Sequence, residues 1–348
     1  MTFGTVYQTM PTIRINAIFE NASDGISFYR GAGPLFALRK QMRNLVDLQI
    51  TQPHAVDWSV TEDSDIMFMI RPCHSKHVTV AKIASLCRVP LWVDYDDDLL
   101  NVTPDNPTWE FYGDDKIQSN LKRILEIASV VTVSTESIKK TLSPYSDSVV
   151  VIPNAWNDSL RPFDDPPENR IDRCIWRGTA THIQDLMDVS EGMFLASDEF
   201  PKWRFSFMGW NPWFVASRKQ TDRIDFHPKQ DVLPYLDTLR SLSGKIVFVP
   251  LADTTFNRGK SSCAFLEASY AGCAVLAPDF REWDRPGITI YHKSEFGEYL
   301  REMMRTPWPE LKKRVDASRD YIKDNLLLSK VNSKRQSVID RLLDGSLR

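Results

Sequence analysis

The sequence predicts an α/β protein made of two parallel-sheet domains that face a cleft. Three observations carry this expectation. Short apolar runs alternate with amphipathic stretches, the alternation halts once in a proline-rich segment, and it then restarts for a similar length. Strands that alternate with helices pair in parallel, because each helix returns the chain across the sheet. A length of 348 residues also exceeds one ordinary domain.

The elements follow in order. Thr12–Phe19 reads as a strand. Over Pro34–Ile50, Leu35, Phe36, Leu38, Met42, Leu45, Val46 and Leu48 recur at helical spacing and predict one amphipathic helix. Strands are expected at Asp65–Ile70, Val89–Val93, Ser129–Val133 and Val149–Ile152. Helices fall between them at Lys76–Cys87, Lys116–Ala128 and Thr135–Leu142, the last opened by Thr135 and Glu136. Pro153, Pro162, Pro166 and Pro167 stand among Asp and Asn and predict a linker over 156–172. Beyond it, strands are expected at Cys174–Arg177, Trp203–Met208, Ile224–Phe226, Lys245–Leu251 and Cys273–Ala277. Their helices are His182–Ala196, Val232–Leu242 and Ser261–Ala271, and Glu295–Leu347 is mostly helical. The expected division is 1–155 with a returning helix near 326–348, then 173–325.

Composition narrows the function. Apolar residues make up 42% and charged residues 26%, as in soluble globular proteins. With 43 Lys and Arg against 46 Asp and Glu, no broad basic field exists to hold a polyanion. Apolar runs such as Ile246–Ala252 are far shorter than the roughly 20 residues of a membrane span. The first residues lack a basic segment followed by an apolar one, so a cytoplasmic protein without a transmembrane segment is expected. Five scattered cysteines with no CxxC suit reduced, buried thiols. Cys73, His74 and His77 lack a second ligand cluster, so no metal is expected there.

Ligands of parallel sheets sit beyond the carboxyl ends of the strands, so the strand-to-helix loops carry the chemistry. Val247–Pro278 is the richest of these segments. A buried strand leads into a polar loop, Ala252–Lys260, and a helix is expected from Ser261 or Ser262. Arg258, Gly259, Lys260 and the two serines stand where helix N–H groups and the positive dipole end are free to hold phosphate. Glu267, further along that helix, is suited to accept two hydroxyl hydrogen bonds from a ribose. The segment is not a P-loop, because Thr254 occupies the position of the first glycine. In the first half, Arg30-Gly31-Ala32-Gly33-Pro34 offers Gly31 and Gly33 for close backbone approach to a ligand. Four aspartates in VDYDDDLL follow a buried strand, and their repulsion calls for a counter-ion, for which Arg71 is the candidate. Asp94-x-Asp96 also has the spacing of a carboxylate pair that can bridge a divalent cation. Trp210 and Trp213 lie in a loop where they would stack on a ring or pack beneath it.

The segment with Pro250, Asn257, Lys260, Ser261, Glu267, Ala271 and Gly272 resembles nucleotide-sugar-dependent glycosyltransferases of the GT-B fold, close to the large retaining family 4. The resemblance implies two Rossmann-like domains, with the C-terminal helices crossing back to the first. It implies that Glu267 holds the donor ribose and that the helix start, with Asn257, Arg258, Gly259, Ser261 and Ser262, holds the diphosphate. The family's E-x7-E pair is incomplete, since its first position is Gly259. Ile175–Leu186 looks like the first strand and turn of the donor domain, with Gly178 and Thr179 facing the cleft and Arg177 pairing with phosphate. The Arg and Lys that many relatives place after that glycine are missing, so Arg177 and Lys260 supply the positive charge. By the same resemblance His227 and Pro228 hold the nucleobase edge, and the Gly31–Gly33 loop covers the diphosphate.

The implied reaction moves a sugar from a nucleotide diphosphate sugar, UDP-linked or similar, to a hydroxyl acceptor. It retains configuration and needs no metal or other cofactor. Arg177 and Lys260 neutralise the leaving group, and Asp94 or Asp97 binds sugar or acceptor hydroxyls or serves as acceptor base. The acceptor is a glycan or, alternatively, a hydroxymethylated DNA base. Fourteen Lys and Arg against eighteen Asp and Glu over 1–155 oppose the latter, although Arg30, Arg39, Lys40 and Arg43 offer a local basic patch. A nucleotide-sugar-binding module without catalysis is the remaining alternative.

Overall fold

The computed structural model describes residues 12–19, 21, 24–43, 45–217, 221–292 and 294–347. The N-terminal stretch read above as lacking a leader pattern lies outside them. Two six-stranded sheets form, and every strand pair is parallel. The first holds β1 (Ile13–Ile18), β2 (Val46–Thr51), β3 (Ile66–Ile70), β4 (Leu91–Tyr95), β5 (Val130–Val133) and β6 (Val149–Val151), in the order β2-β1-β3-β4-β5-β6. The second holds β7 (Ile171–Arg177), β8 (Arg204–Gly209), β9 (Ile224–Pro228), β10 (Gly244–Phe248), β11 (Ala274–Pro278) and β12 (Ile288–Tyr291), in the order β12-β11-β10-β7-β8-β9. Central strands such as β4 and β11 are buried throughout, which is why they read as continuous apolar runs.

One expected helix divides. Pro34–Ile50 is the end of a helix over Ala32–Gln41 followed by β2, and a short helix, Gly25–Arg30, precedes it. Arg43 takes a left-handed φ of 52° just after the helix, and Val46, Leu48 and Ile50 then alternate at the period of a strand. Their spacing fits both periods over so short a run. β12 was not expected, and β7 begins at Ile171, ahead of Cys174.

Gly31 and Gly33 are closely packed, which gives the absence of a Cβ there a reason apart from approach to a ligand. Both are buried at the junction of the two first helices. A Cβ at Gly31 would collide with Ile70 and stand 2.9 Å from the Phe19 ring. One at Gly33 would collide with the Phe28 carbonyl oxygen, which cannot rotate away as a side chain can. Gly33→Ala is therefore expected to destabilise by about 1–3 kcal/mol, the usual range for overpacking. Urea denaturation of the variant beside wild type measures it, and an unchanged midpoint would contradict the packing role.

The chain crosses between the sheets twice, side by side. Trp156 N–H donates to the Leu326 carbonyl at 2.8 Å, and Leu328 N–H to the Trp156 carbonyl at 2.7 Å. The final helix, Leu328–Leu343, then lies on the first sheet, where Leu328, Val331, Val338, Ile339 and Leu342 join its core. Asn332 Nδ2 donates to the Pro34 carbonyl at 3.1 Å, fixing that helix to Ala32–Gln41.

Candidate functional site

The carboxyl ends of β4, β5, β7 and β10 converge between the sheets. A cavity of about 150 Å³ there is lined by Asp97, Arg177, His182, Lys260, Ser261 and Cys263, with Trp176, Phe248 and Trp283 among its apolar walls. Four residues expected at the site, Asp97, Arg177, Lys260 and Ser261, thus meet in one place. Lys260 Nζ lies 3.8 Å from Asp97 Oδ1 and 4.5 Å from the centre of the Phe256 ring. Arg177 Nε stands 2.8 Å from Glu267 Oε2, an ion pair without hydrogen-bond alignment. Burial alone would lower the Arg177 pKa, but Glu267, together with Tyr235, Cys263 and Tyr29, outweighs it and keeps the guanidinium charged.

Arg71 is the counter-ion the aspartates require. Its Nε donates to Asp96 and its Nη2 to Asp97 at 2.6 Å. Burial pushes the Asp97 carboxyl up, yet Lys260, Arg71 and His182 outweigh burial and hold it at about 2. Burial raises Asp96 against the pull of Arg71. A carboxylate held below its unfolded value of about 3.9 contributes stability that is complete above that pH and is lost as pH falls through the folded value. Asp96 contributes with the opposite sign. Wild type should therefore lose stability between about pH 4 and pH 2 more steeply than Asp97→Asn. Urea denaturation at each pH measures the two slopes, and equal slopes would contradict the ion-pair assignment.

Asp94 is placed elsewhere than expected. It is 2% exposed and outside the cavity lining, gripped by Arg30 Nε at 2.8 Å and Nη2 at 2.7 Å, with the Thr132 hydroxyl donating at 2.5 Å. Arg30 is itself buried, so it belongs to no surface patch. Its Nη1 reaches Asn154 Oδ1 at 3.1 Å, and Asn154 Nδ2 donates to Ser261 Oγ at 2.7 Å and to Cys263 Sγ at 3.0 Å. Asp94 therefore anchors a buried relay that ends on the cavity wall.

Several donor-side residues also have their hydrogen bonds filled within the protein. Glu267 is 5% exposed, lies outside the cavity lining, and accepts from Tyr29 at 2.9 Å and Tyr235 at 2.7 Å. Asn257 donates to Asp185 at 2.7 Å and to the Ala252 carbonyl at 3.0 Å, which shapes the loop. Arg258 pairs with Asp253 at 2.6 and 2.9 Å and covers Phe280, on the side of the loop away from Lys260. The reason is a turn of helix over Thr255–Arg258 where a loop was expected. Gly259 packs on Asp98 and Ile138 of the first half, and its carbonyl accepts from Thr135 at 2.9 Å. Ser262 stands at the N-cap position of the helix Cys263–Ala271 without a side-chain capping bond, and both its hydroxyl, at 3.2 Å, and its N–H face Glu282.

Gly178 donates its N–H to the Met208 carbonyl at 3.0 Å, and Thr179 is exposed, with its hydroxyl 2.7 Å from that of Thr181. Arg177, Met208 and His227 are in register across β7, β8 and β9, so backbone at His227 stands about 10 Å from Arg177, two strand spacings away. Pro228 pairs with Gly209 at the same end. His227 Nε2 is buried without a hydrogen bond among the described residues. Of the loop tryptophans, Trp210 packs on Trp176, with ring centres 6.4 Å apart, and Trp213 is exposed.

Sequence reasoning missed Tyr29, Asn154, His182, Tyr235 and Trp283. The Trp283 indole N–H is buried at the cavity without a partner among the described residues. His182 carried a legible signal, as an ionisable residue just beyond a buried strand in a loop without Lys or Arg.

No protein-family profile and no curated protein sequence matches the chain. Solved structures do match its fold. A glycosyltransferase from Rickettsia africae ESF-5 superposes with a TM-score of 0.64 at 12% identity, over 95% of this chain and 99% of that one. TarM from S. aureus, in complex with fondaparinux, alpha-GlcNAc-glycerol and UDP, gives 0.58 at 11% identity. That match covers 80% of this chain and 55% of TarM, so the chain spans about half of TarM's length. S. aureus MnaA with UDP gives 0.56 at 14% identity, over 96% and 97%. The two-sheet α/β architecture is that of these GT-B structures.

Proposed function

We propose that the chain is a glycosyltransferase that moves a sugar from a UDP-type nucleotide diphosphate sugar to a hydroxyl acceptor, with retention and without a metal. The observation that carries this reading is the convergence of Arg177, Lys260 and Ser261 on one cavity between the sheets, with the Asp97 carboxylate facing them from the other half. Two cations at the strand ends suit a diphosphate, and UDP is named in the TarM and MnaA structures. Retention comes from the resemblance to family 4.

As the sugar–phosphate bond breaks, negative charge grows on the leaving oxygen. Arg177 and Lys260 are fixed beforehand to stabilise it, each worth about 3–4 kcal/mol when well placed. The acceptor oxygen bonds to the anomeric carbon on the same face, and its proton passes to the departing phosphate. Asp97, kept ionised, accepts a hydrogen bond from a sugar or acceptor hydroxyl. The acceptor enters beside Arg71, Phe111 and Tyr112, which line a second cavity of about 260 Å³.

The test is release of nucleotide from a panel of UDP-, GDP- and ADP-sugars, with and without simple glycoside acceptors. Turnover of one donor class, lost in Arg177→Met, is the expected result. Absence of both turnover and nucleotide binding across the panel would overturn the proposal.

A further inference from the structure

His182 is held in a state that invites a proton from outside. Its Nδ1 lies 2.8 Å from Asp185 Oδ2. The other Asp185 oxygen accepts from Asn257 Nδ2 at 2.7 Å and from the Ala252 N–H at 2.8 Å. A carboxylate so occupied is an acceptor, so the Nδ1 proton stays on the imidazole and Nε2 keeps its lone pair. Nε2 makes no hydrogen bond among the described residues, and the side chain lines the cavity with Lys260, Arg177 and Asp97. Burial, then Lys260 and Arg177, lower the His182 pKa, while Asp185 raises it. The ring is thus neutral in the free protein at neutral pH and above. No Lys or Arg stands between Gly178 and Asp188, so His182 is that loop's one means of presenting a cation.

We propose that His182 is a proton-linked ligand of the diphosphate: as the anion enters, Nε2 takes a proton from solvent and donates it in a hydrogen bond to a phosphoryl oxygen. This inference rests on the proposed donor site. The groups facing the ring are Asp185 on its own helix, Arg177 at the end of β7, Lys260 from the loop after β10 and Asp97 from the loop after β4. An anion between Lys260 and Arg177 offsets the two charges that, with burial, keep the ring neutral, and adds negative charge beside it. Linkage then requires binding to strengthen as pH falls, by up to about tenfold per pH unit for one proton.

The probe is UDP, titrated calorimetrically near pH 7.5 in buffers of different ionisation enthalpy, which counts the protons taken up. Wild type should take up close to one proton more than His182→Gln, and the comparison cancels the ionisation of UDP itself. His182→Lys should restore affinity without the pH dependence. In wild type, the ¹⁵N shift of His182 Nε2 should move to the protonated value on adding UDP, a readout that needs no variant. Equal uptake in wild type and His182→Gln, with the Nε2 shift unmoved, would overturn the proton-linked role and leave the donor site standing. Failure of wild type to bind UDP or GDP would overturn both.

Discussion

Replacing Lys260 with alanine is expected to cut turnover by about 10²–10³-fold, the usual loss for one preorganised charge-stabilising donor. Folding should survive. The side chain is only partly buried, and its contacts are Asp97 at 3.8 Å and the Phe256 ring. Asp97 keeps Arg71 as its partner. Lys260→Arg should recover part of the rate, because charge is restored with altered geometry. Steady-state kcat and KM beside urea denaturation separate chemistry from stability. Wild-type turnover in Lys260→Ala would remove this residue from the mechanism.

The second large effect lies in the buried relay. Arg30→Met leaves Asp94 sealed in the first half without its bidentate partner, and breaking such a pair costs about 3–5 kcal/mol. The lower end of that range is expected, because the buried Arg335 also feels Asp94. Ser261 would lose its indirect anchor as well, since Arg30 holds Asn154 and Asn154 holds Ser261. The double variant Arg30→Met/Asp94→Leu should recover part of the loss, because neither member of the pair is then left buried alone, while Arg335 loses the nearby carboxylate. Urea denaturation of the three variants tests this. A loss below about 1 kcal/mol in Arg30→Met would place the pair among weak surface-like bridges.

The layered architecture was legible because hydrophobic period reports layers directly, as in β4, β5 and β10. β2 escaped because its alternation adjoins a helical run with the same apolar residues. At the site, residue type proved more legible than direction. Lys260 and Arg258 sit two positions apart, but the turn over Thr255–Arg258 sends one to the cavity and the other to Asp253. Arg71 was legible as a counter-ion because closely spaced aspartates demand one. The relays were not, because they join distant parts of the chain. Tyr29 and Glu267 are 238 positions apart, and Arg30 and Asp94 are 64 apart. Glycines are ambiguous for a related reason. Gly31 looks alike whether a ligand or Ile70 takes the space of its missing Cβ.

The most direct test of the donor site is a crystal structure of the protein soaked with UDP. The diphosphate is predicted to lie against Arg177, Lys260 and Ser261, with the uracil toward His227 across the ends of β7, β8 and β9. A nucleotide bound elsewhere, for instance beside Arg258 and Phe280, with the cavity between the sheets unchanged, would contradict the account.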